Sequence, residues 1–159
     1  MKSIKKAATI FILLLSTGIV FGQQVEATYE IGFDTSDAKV GDTIEIYIKI
    51  TPPAYWHVYS NKTEGCEYAP LSAELELQKN ESFKAIGSLN GIGAKGKVDP
   101  IFDCKIWSFD GVALFKQKII VLSKDLIIKG DFQGQMCDDK VCVPLFPDTL
   151  NFSGLTITE

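Results

Sequence analysis

The chain has 159 residues, 46% of them hydrophobic and 23% charged, with a formal net charge of −4, four cysteines and one histidine. That length suits one domain with a substantial core. All sixteen basic residues are lysines and twenty acids outnumber them. Such a chain argues against a nucleic-acid binder, because phosphate contact needs a basic patch.

In chain order, Lys2, Lys5 and Lys6 precede an apolar run from Ala7 to Phe21, followed by Gly22, Gln23 and Gln24. Charge, then apolar run, then small and polar residues is the pattern of a secretory signal peptide, predicted over 1–24. The run is shorter than the roughly 20 apolar residues of a membrane span; a retained anchor is the alternative. A domain over 25–159 would remain. Three of the sixteen lysines would leave with the signal, so thirteen would face twenty acids and the formal charge would be −7. Export would place the four cysteines where disulfides persist.

The rest reads as short strands. Ala27–Phe33 alternates between apolar and polar residues, and Thr43–Ile50 does so strictly, with isoleucine at every second position. Pro52 and Pro53 break the pattern, and Tyr55–Ser60 is predicted as a short aromatic strand. Ala73–Leu77 alternates, Phe83–Leu89 does so weakly, and glycine-rich Asn90–Gly96 is predicted as a loop. Lys105–Phe109 and Ala113–Val121 flank Asp110-Gly111, the signal of a hairpin. Leu126–Phe132 leads towards two cysteines, and Leu150–Thr158 is predicted as one closing strand. No helical periodicity exceeds two turns. Many short alternating strands predict an all-β, antiparallel sandwich of immunoglobulin type.

Cys137 and Cys142 bracket Asp138-Asp139-Lys140-Val141, a plausible four-residue hairpin loop that lacks a glycine. If strands flank it directly, the cysteines oppose each other with Cα atoms about 4.5–5.5 Å apart, within disulfide range. Pro144 then suits an edge or a strand end. On geometry alone the pair is as much a hairpin staple as a redox site. Four cysteines allow three connectivities.

The run Gly130-Asp131-Phe132-Gln133-Gly134, with the following Cys-x4-Cys-x-Pro, resembles the N-terminal periplasmic domain of the thiol–disulfide interchange protein DsbD. Trp56-His57-Val58-Tyr59-Ser60 resembles a W-H-x-Y-S strand of its relatives. Lys97–Asp103 resembles their acidic–aromatic segment, which forms a cap loop over the cysteine pair. The resemblance spans roughly Val25 to Thr158. It departs in a cysteine spacing of four rather than five residues, in Leu145 where a second proline is frequent, and in Asp103 where glycine commonly follows the cap aromatic.

The resemblance implies an immunoglobulin-like sandwich in the periplasm, with Cys137 and Cys142 as the redox-active pair and Phe102 and Asp99 in the cap. It implies thioredoxin-like periplasmic proteins and a membrane thiol-electron carrier as partners. Cys66 and Cys104 then pair with each other or stay free; a structural bridge is the reading carried forward, with a second redox pair as the alternative. A Cys66–Cys104 loop of about 39 residues stabilises by roughly 3.9 kcal/mol in the chain-entropy relation, a Cys137–Cys142 loop of about 6 by roughly 2.2. The long bridge is the better staple, and the short one can open without unfolding a sandwich.

Asp138 and Asp139 disfavour a thiolate and Lys140 favours one, so no strongly lowered thiol pKa is expected. His57, the only histidine, is predicted to be a surface-strand residue, since general-base work needs a placed partner. The cysteines lack the paired short spacings of zinc ribbons; no metal and no cofactor is expected. The rival from another class is a disulfide-stapled sandwich that binds a protein or glycan without redox chemistry.

Overall fold

The structure, a computed structural model, describes residues 25–158. The predicted signal segment lies outside the described residues. The strands in chain order are β1 (Thr28–Phe33), β2 (Asp37–Lys39), β3 (Thr43–Thr51), β4 (His57–Glu64), β5 (Glu74–Leu77), β6 (Phe83–Gly91) and β7 (Lys95–Asp99). They continue with β8 (Cys104–Asp110), β9 (Ala113–Val121), β10 (Ile128–Cys137), β11 (Cys142–Leu145), β12 (Leu150–Phe152) and β13 (Thr156–Thr158). The protein is an all-β sandwich of immunoglobulin type. One sheet runs β1-β3-β9-β6; the other runs β11-β10-β4-β8-β7, with β5 and β12 also paired to β10. Both are antiparallel, and a small parallel pair joins β2 to β13. Among the described residues no helix is long and apolar enough to cross a membrane.

The period-2 pattern sets the faces. Ile46, Ile48 and Ile50 of β3 are wholly buried, while Glu45, Tyr47 and Lys49 between them are not. Each such isoleucine contributes about 1.5–3 kcal/mol by leaving water. Phe115 of β9 meets Phe109 of β8 edge-on at 5.3 Å and Phe132 of β10 at 5.8 Å. These three rings tie the two sheets together across the core.

Several expectations are corrected. Lys105–Phe109 and Ala113–Val121 do not form a hairpin: β8 and β9 belong to different sheets, and Asp110-Gly111 carries the chain across the sandwich. Gly111 takes φ 111° at the corner, a conformation open chiefly to glycine. Phe109 and Phe115 therefore face each other through the core instead of lying side by side. Leu150–Thr158 is two short strands, β12 and β13, not one. Asn90–Gly96 is only partly loop, since β6 runs through Gly91 and β7 starts at Lys95. Tyr55 is no strand residue: it sits in the preceding turn at φ 70° and is 97% exposed. β4 starts at His57 and continues to Glu64 through an irregularity between Tyr59 and Thr63.

Candidate functional site at the cysteine turn

β10 positions the site. Its last two residues, Met136 and Cys137, pair with Val143 and Cys142 of β11 and with Val58 and His57 of β4. Cys137 therefore lies between Cys142 on one side and His57 on the other. β11 is the outermost strand of the sheet path, and Pro144 sits on it opposite Gln135, where a missing N–H costs no ladder bond.

The turn is closed by Asp138. Its N–H donates to the Val141 carbonyl at 3.0 Å, and its Oδ1 accepts from the N–H groups of Lys140 and Val141, both at 2.8 Å. A side-chain carboxylate thus closes the turn by bonding the backbone ahead of it, in the manner of an Asx turn. Those two donors, Val141 first, hold the Asp138 carboxyl below its ordinary value. Because the 138/141 pair carries the hydrogen bond, 137/142 is a non-hydrogen-bonded pair, the closer kind. A disulfide joins Cys137 to Cys142 across a Cα separation of 4.1 Å, slightly shorter than the spacing expected from sequence.

Burial divides this disulfide. Along β10, Phe132, Gly134 and Met136 are buried and the first and last of these belong to the main core, whereas Gln133 and Gln135 face outward. By alternation Cys137 also faces outward, yet it is 0% exposed. A second small cluster covers it: Tyr59, Ile106 and Cys104, with Phe102 and Cys66 packed against them. Cys142 is exposed. One end of the bond is sealed and the other is open at the sheet edge.

The β7–β8 connection, Pro100 to Asp103, packs Phe102 against that cluster. Asp99 organises the connection. The residue is 3% exposed, and its carboxylate accepts from the N–H of Ile101 at 2.9 Å, from the N–H of Phe102 at 3.4 Å and from the Tyr59 hydroxyl at 2.8 Å. Its carbonyl accepts from the Asp103 N–H at 2.9 Å. Asp103 adopts φ 50°, the left-handed region where glycine is at ease and aspartate is one of the tolerated replacements. Phe102 meets the Tyr59 ring edge-on at 5.9 Å. Burial first, and then the bond to Asp99, push the Tyr59 phenol well above its ordinary value, so it is a donor at any physiological pH.

The second disulfide, Cys66–Cys104, has a Cα separation of 5.0 Å and spans 38 positions. Cys104 follows the Phe102 loop directly, and Cys66 lies just beyond β4. The bridge closes the end of the β4–β8 ladder, next to the Glu64–Lys105 pair. Both disulfides thus contribute sulfur to one cluster.

Three neighbours of Cys137 did not figure as site residues in the sequence reading. His57 is half-buried and not on the open surface. Its ring meets Tyr59 edge-on at 5.0 Å, and its buried Nε2 has no hydrogen-bond partner among the described residues. Burial first, and then Lys97, hold its imidazole below the usual value, against Asp99, Asp110 and Asp139; it is neutral at pH 7. Tyr59 forms the floor of the cluster. Gln135 points its side-chain amide at the Cys137 sulfur, Nε2 to Sγ 3.6 Å. The available signal was the two-residue period: His57 and Tyr59, and Gln135 and Cys137, each share a strand face. Among the described residues no group of three or more His, Cys, Asp or Glu side chains is placed to hold a metal ion.

Among solved structures, the fold is similar to the N-terminal domain of DsbD from Neisseria meningitidis, determined in the reduced form. That likeness has a TM-score of 0.50 and 14% sequence identity, and it covers 74% of this chain and 80% of that one. The N-terminal periplasmic domain of ScsB from Proteus mirabilis is also similar, with a TM-score of 0.49 and 13% identity over 79% of this chain and 43% of that one. No family model matches the chain, and no curated protein matches it. At these identities the likeness to the DsbD domain is one of fold.

Proposed function

We propose that the chain is an exported thiol–disulfide interchange module, passing electrons through Cys137–Cys142 to or from thioredoxin-like proteins or a membrane thiol-electron carrier in the periplasm. The observation that carries this reading is the asymmetry of the bond, with Cys137 wholly buried in a cluster that Phe102 packs against and Cys142 exposed. A staple has no need of one open end. The likeness of fold to the DsbD domain supports the same reading. Residues 1–24 act as the export signal and 25–159 as the working domain. Phe102 and Asp99 serve as the cap over the pair, and Cys66–Cys104 holds the cap's end in place.

The chemistry needs only sulfur. A partner's thiolate attacks Cys142 Sγ in line with the S–S bond. That bond breaks, its electron pair stays on Cys137 Sγ, and a mixed disulfide joins the partner to Cys142. The partner's second thiol then attacks its own sulfur and releases Cys142. The partner leaves oxidised, and Cys137 and Cys142 each hold one proton taken from solvent or from the partner's thiols. Run backwards, Cys142 attacks a downstream disulfide and Cys137 resolves it. The partner docks edge-on at the turn, beside exposed Val141 and Tyr55.

The test is to incubate the oxidised protein with a thioredoxin that keeps only its attacking cysteine, quench by alkylation, and locate the adduct by tandem mass spectrometry. The reading expects a mixed disulfide at Cys142. An adduct at Cys66 or Cys104, or none at any excess of thioredoxin, contradicts it.

A further inference from the structure

We propose that Gln135 is a catalytic residue of this exchange: its amide N–H group stabilises the thiolate that Cys137 becomes when the bond opens. The inference deepens the preceding reading and rests on it.

The geometry begins with Leu71, whose N–H donates to Gln135 Oε1 at 2.8 Å. An oxygen held there leaves the amide nitrogen as the end that faces Cys137 Sγ, at 3.6 Å. The anchor lies 64 positions away in sequence, so the tertiary fold fixes the amide before any partner arrives. Gln135 stands two residues before Cys137 on the same face of β10. Among the described residues its nitrogen has no other acceptor.

The Cys137 sulfur is the leaving group. In the disulfide it is a weak acceptor, and the contact contributes little. When a thiolate attacks Cys142 Sγ, the S–S bond breaks and the electron pair settles on Cys137 Sγ. A full negative charge then appears at a site with 0% exposure, where water cannot solvate it and an unpaired charge is costly. A donor already aimed at that atom is worth far more after the bond opens than before. This is the differential binding that lowers a barrier. The other polar neighbours are less suited. The Tyr59 hydroxyl is committed to Asp99. His57 lies across the ladder, but among the described residues no hydrogen bond joins its ring to the Cys137 sulfur. Asp138, Asp139 and Lys140 belong to the turn, and Asp138 is engaged with its backbone. The thiolate later takes a proton from solvent, and Gln135 itself gains and loses none.

Two variants separate catalysis from scaffolding. Gln135→Met keeps the bulk and removes both the donor and the Leu71 anchor. Gln135→Glu keeps an oxygen for the Leu71 N–H but replaces the donor with an acceptor. The probe is dithiothreitol, followed by alkylation and mass at several pH values, with thiolate absorbance titration of the reduced proteins and circular dichroism as the folding control. Both variants should be reduced about 10- to 100-fold more slowly, the scale of one lost hydrogen bond to a charged group, and the Cys137 thiol should titrate at higher pH. Wild-type rates and titration in both variants overturn the proposal. Slowing in Gln135→Met alone also overturns it, because that pattern marks Gln135 as an anchor only. Dithiothreitol needs no protein partner, so this result stands apart from whether thioredoxin is accepted.

Discussion

Replacing Cys66 and Cys104 together by alanine is expected to lower the stability of the domain by about 4 kcal/mol, from a closed loop of about 39 residues. For a chain of this size that corresponds to a thermal midpoint lower by roughly 10–20 °C. The paired variant Cys137→Ala with Cys142→Ala loses a bridge that closes only about 6 residues and should cost about 2 kcal/mol. The ordering matters because it divides the labour between the bridges. Cys66–Cys104 secures the far end of the β4–β8 ladder beyond its irregularity. Cys137–Cys142 joins two strands already held by a turn that Asp138 closes through its own hydrogen bonds. A module that opens its short bridge in each cycle must survive without it. Urea unfolding of both paired variants measures this directly. A long bridge that costs no more than the short one would contradict the structural role given to it.

Phe102→Ala should accelerate reduction of Cys137–Cys142 by dithiothreitol about tenfold. The ring packs on the cluster that seals Cys137 and meets Tyr59 edge-on at 5.9 Å. An aromatic pair of this kind contributes about 0.5–1.5 kcal/mol beyond its area, and about 1.4 kcal/mol of easier cap opening is a factor of ten. The variant is a clean one because the loop is held by its backbone. The N–H groups of Ile101 and Phe102 keep their bonds to Asp99 whatever the side chain. Asp99→Ala, by contrast, removes three hydrogen bonds at once and disturbs the loop itself. If Phe102→Ala folds normally and is reduced at the wild-type rate, the ring does not shield the bond.

Much of the fold was legible because two-residue alternation is a local signal. β3 and β9 show it plainly, and the predicted bounds of β9 coincide with the observed strand. What alternation does not encode is the sheet a strand joins. Asp110-Gly111 reads as a hairpin turn, yet the rings of Phe109 and Phe115 gain more by meeting across the core than by lying side by side. β7 was hidden because Lys95-Gly96-Lys97-Val98 is an exposed edge with no buried alternate face until Asp99, and β2 because it is three residues long. At the site, the cysteine turn was readable from Cys-x4-Cys with a proline after it. The glycine missing from that turn left its closure unexplained until Asp138 was seen to bond the backbone. Tyr55, read as a strand aromatic, stands in the open because its left-handed backbone turns it out of the ladder. Gln135 could not be found from spacing alone. Its significance depends on which face of β10 turns outward and on Leu71, which the fold brings in from 64 positions away.

The central claim is that one disulfide at the edge of a closed sandwich is made and broken in use. Its most direct test is the reduction potential of Cys137–Cys142, read by equilibrating the protein in glutathione or dithiothreitol buffers and trapping thiols by alkylation before mass spectrometry. The account predicts a potential more oxidising than roughly −250 mV, with Cys66–Cys104 still joined at that point. A value below about −300 mV belongs to a structural disulfide and would contradict the account.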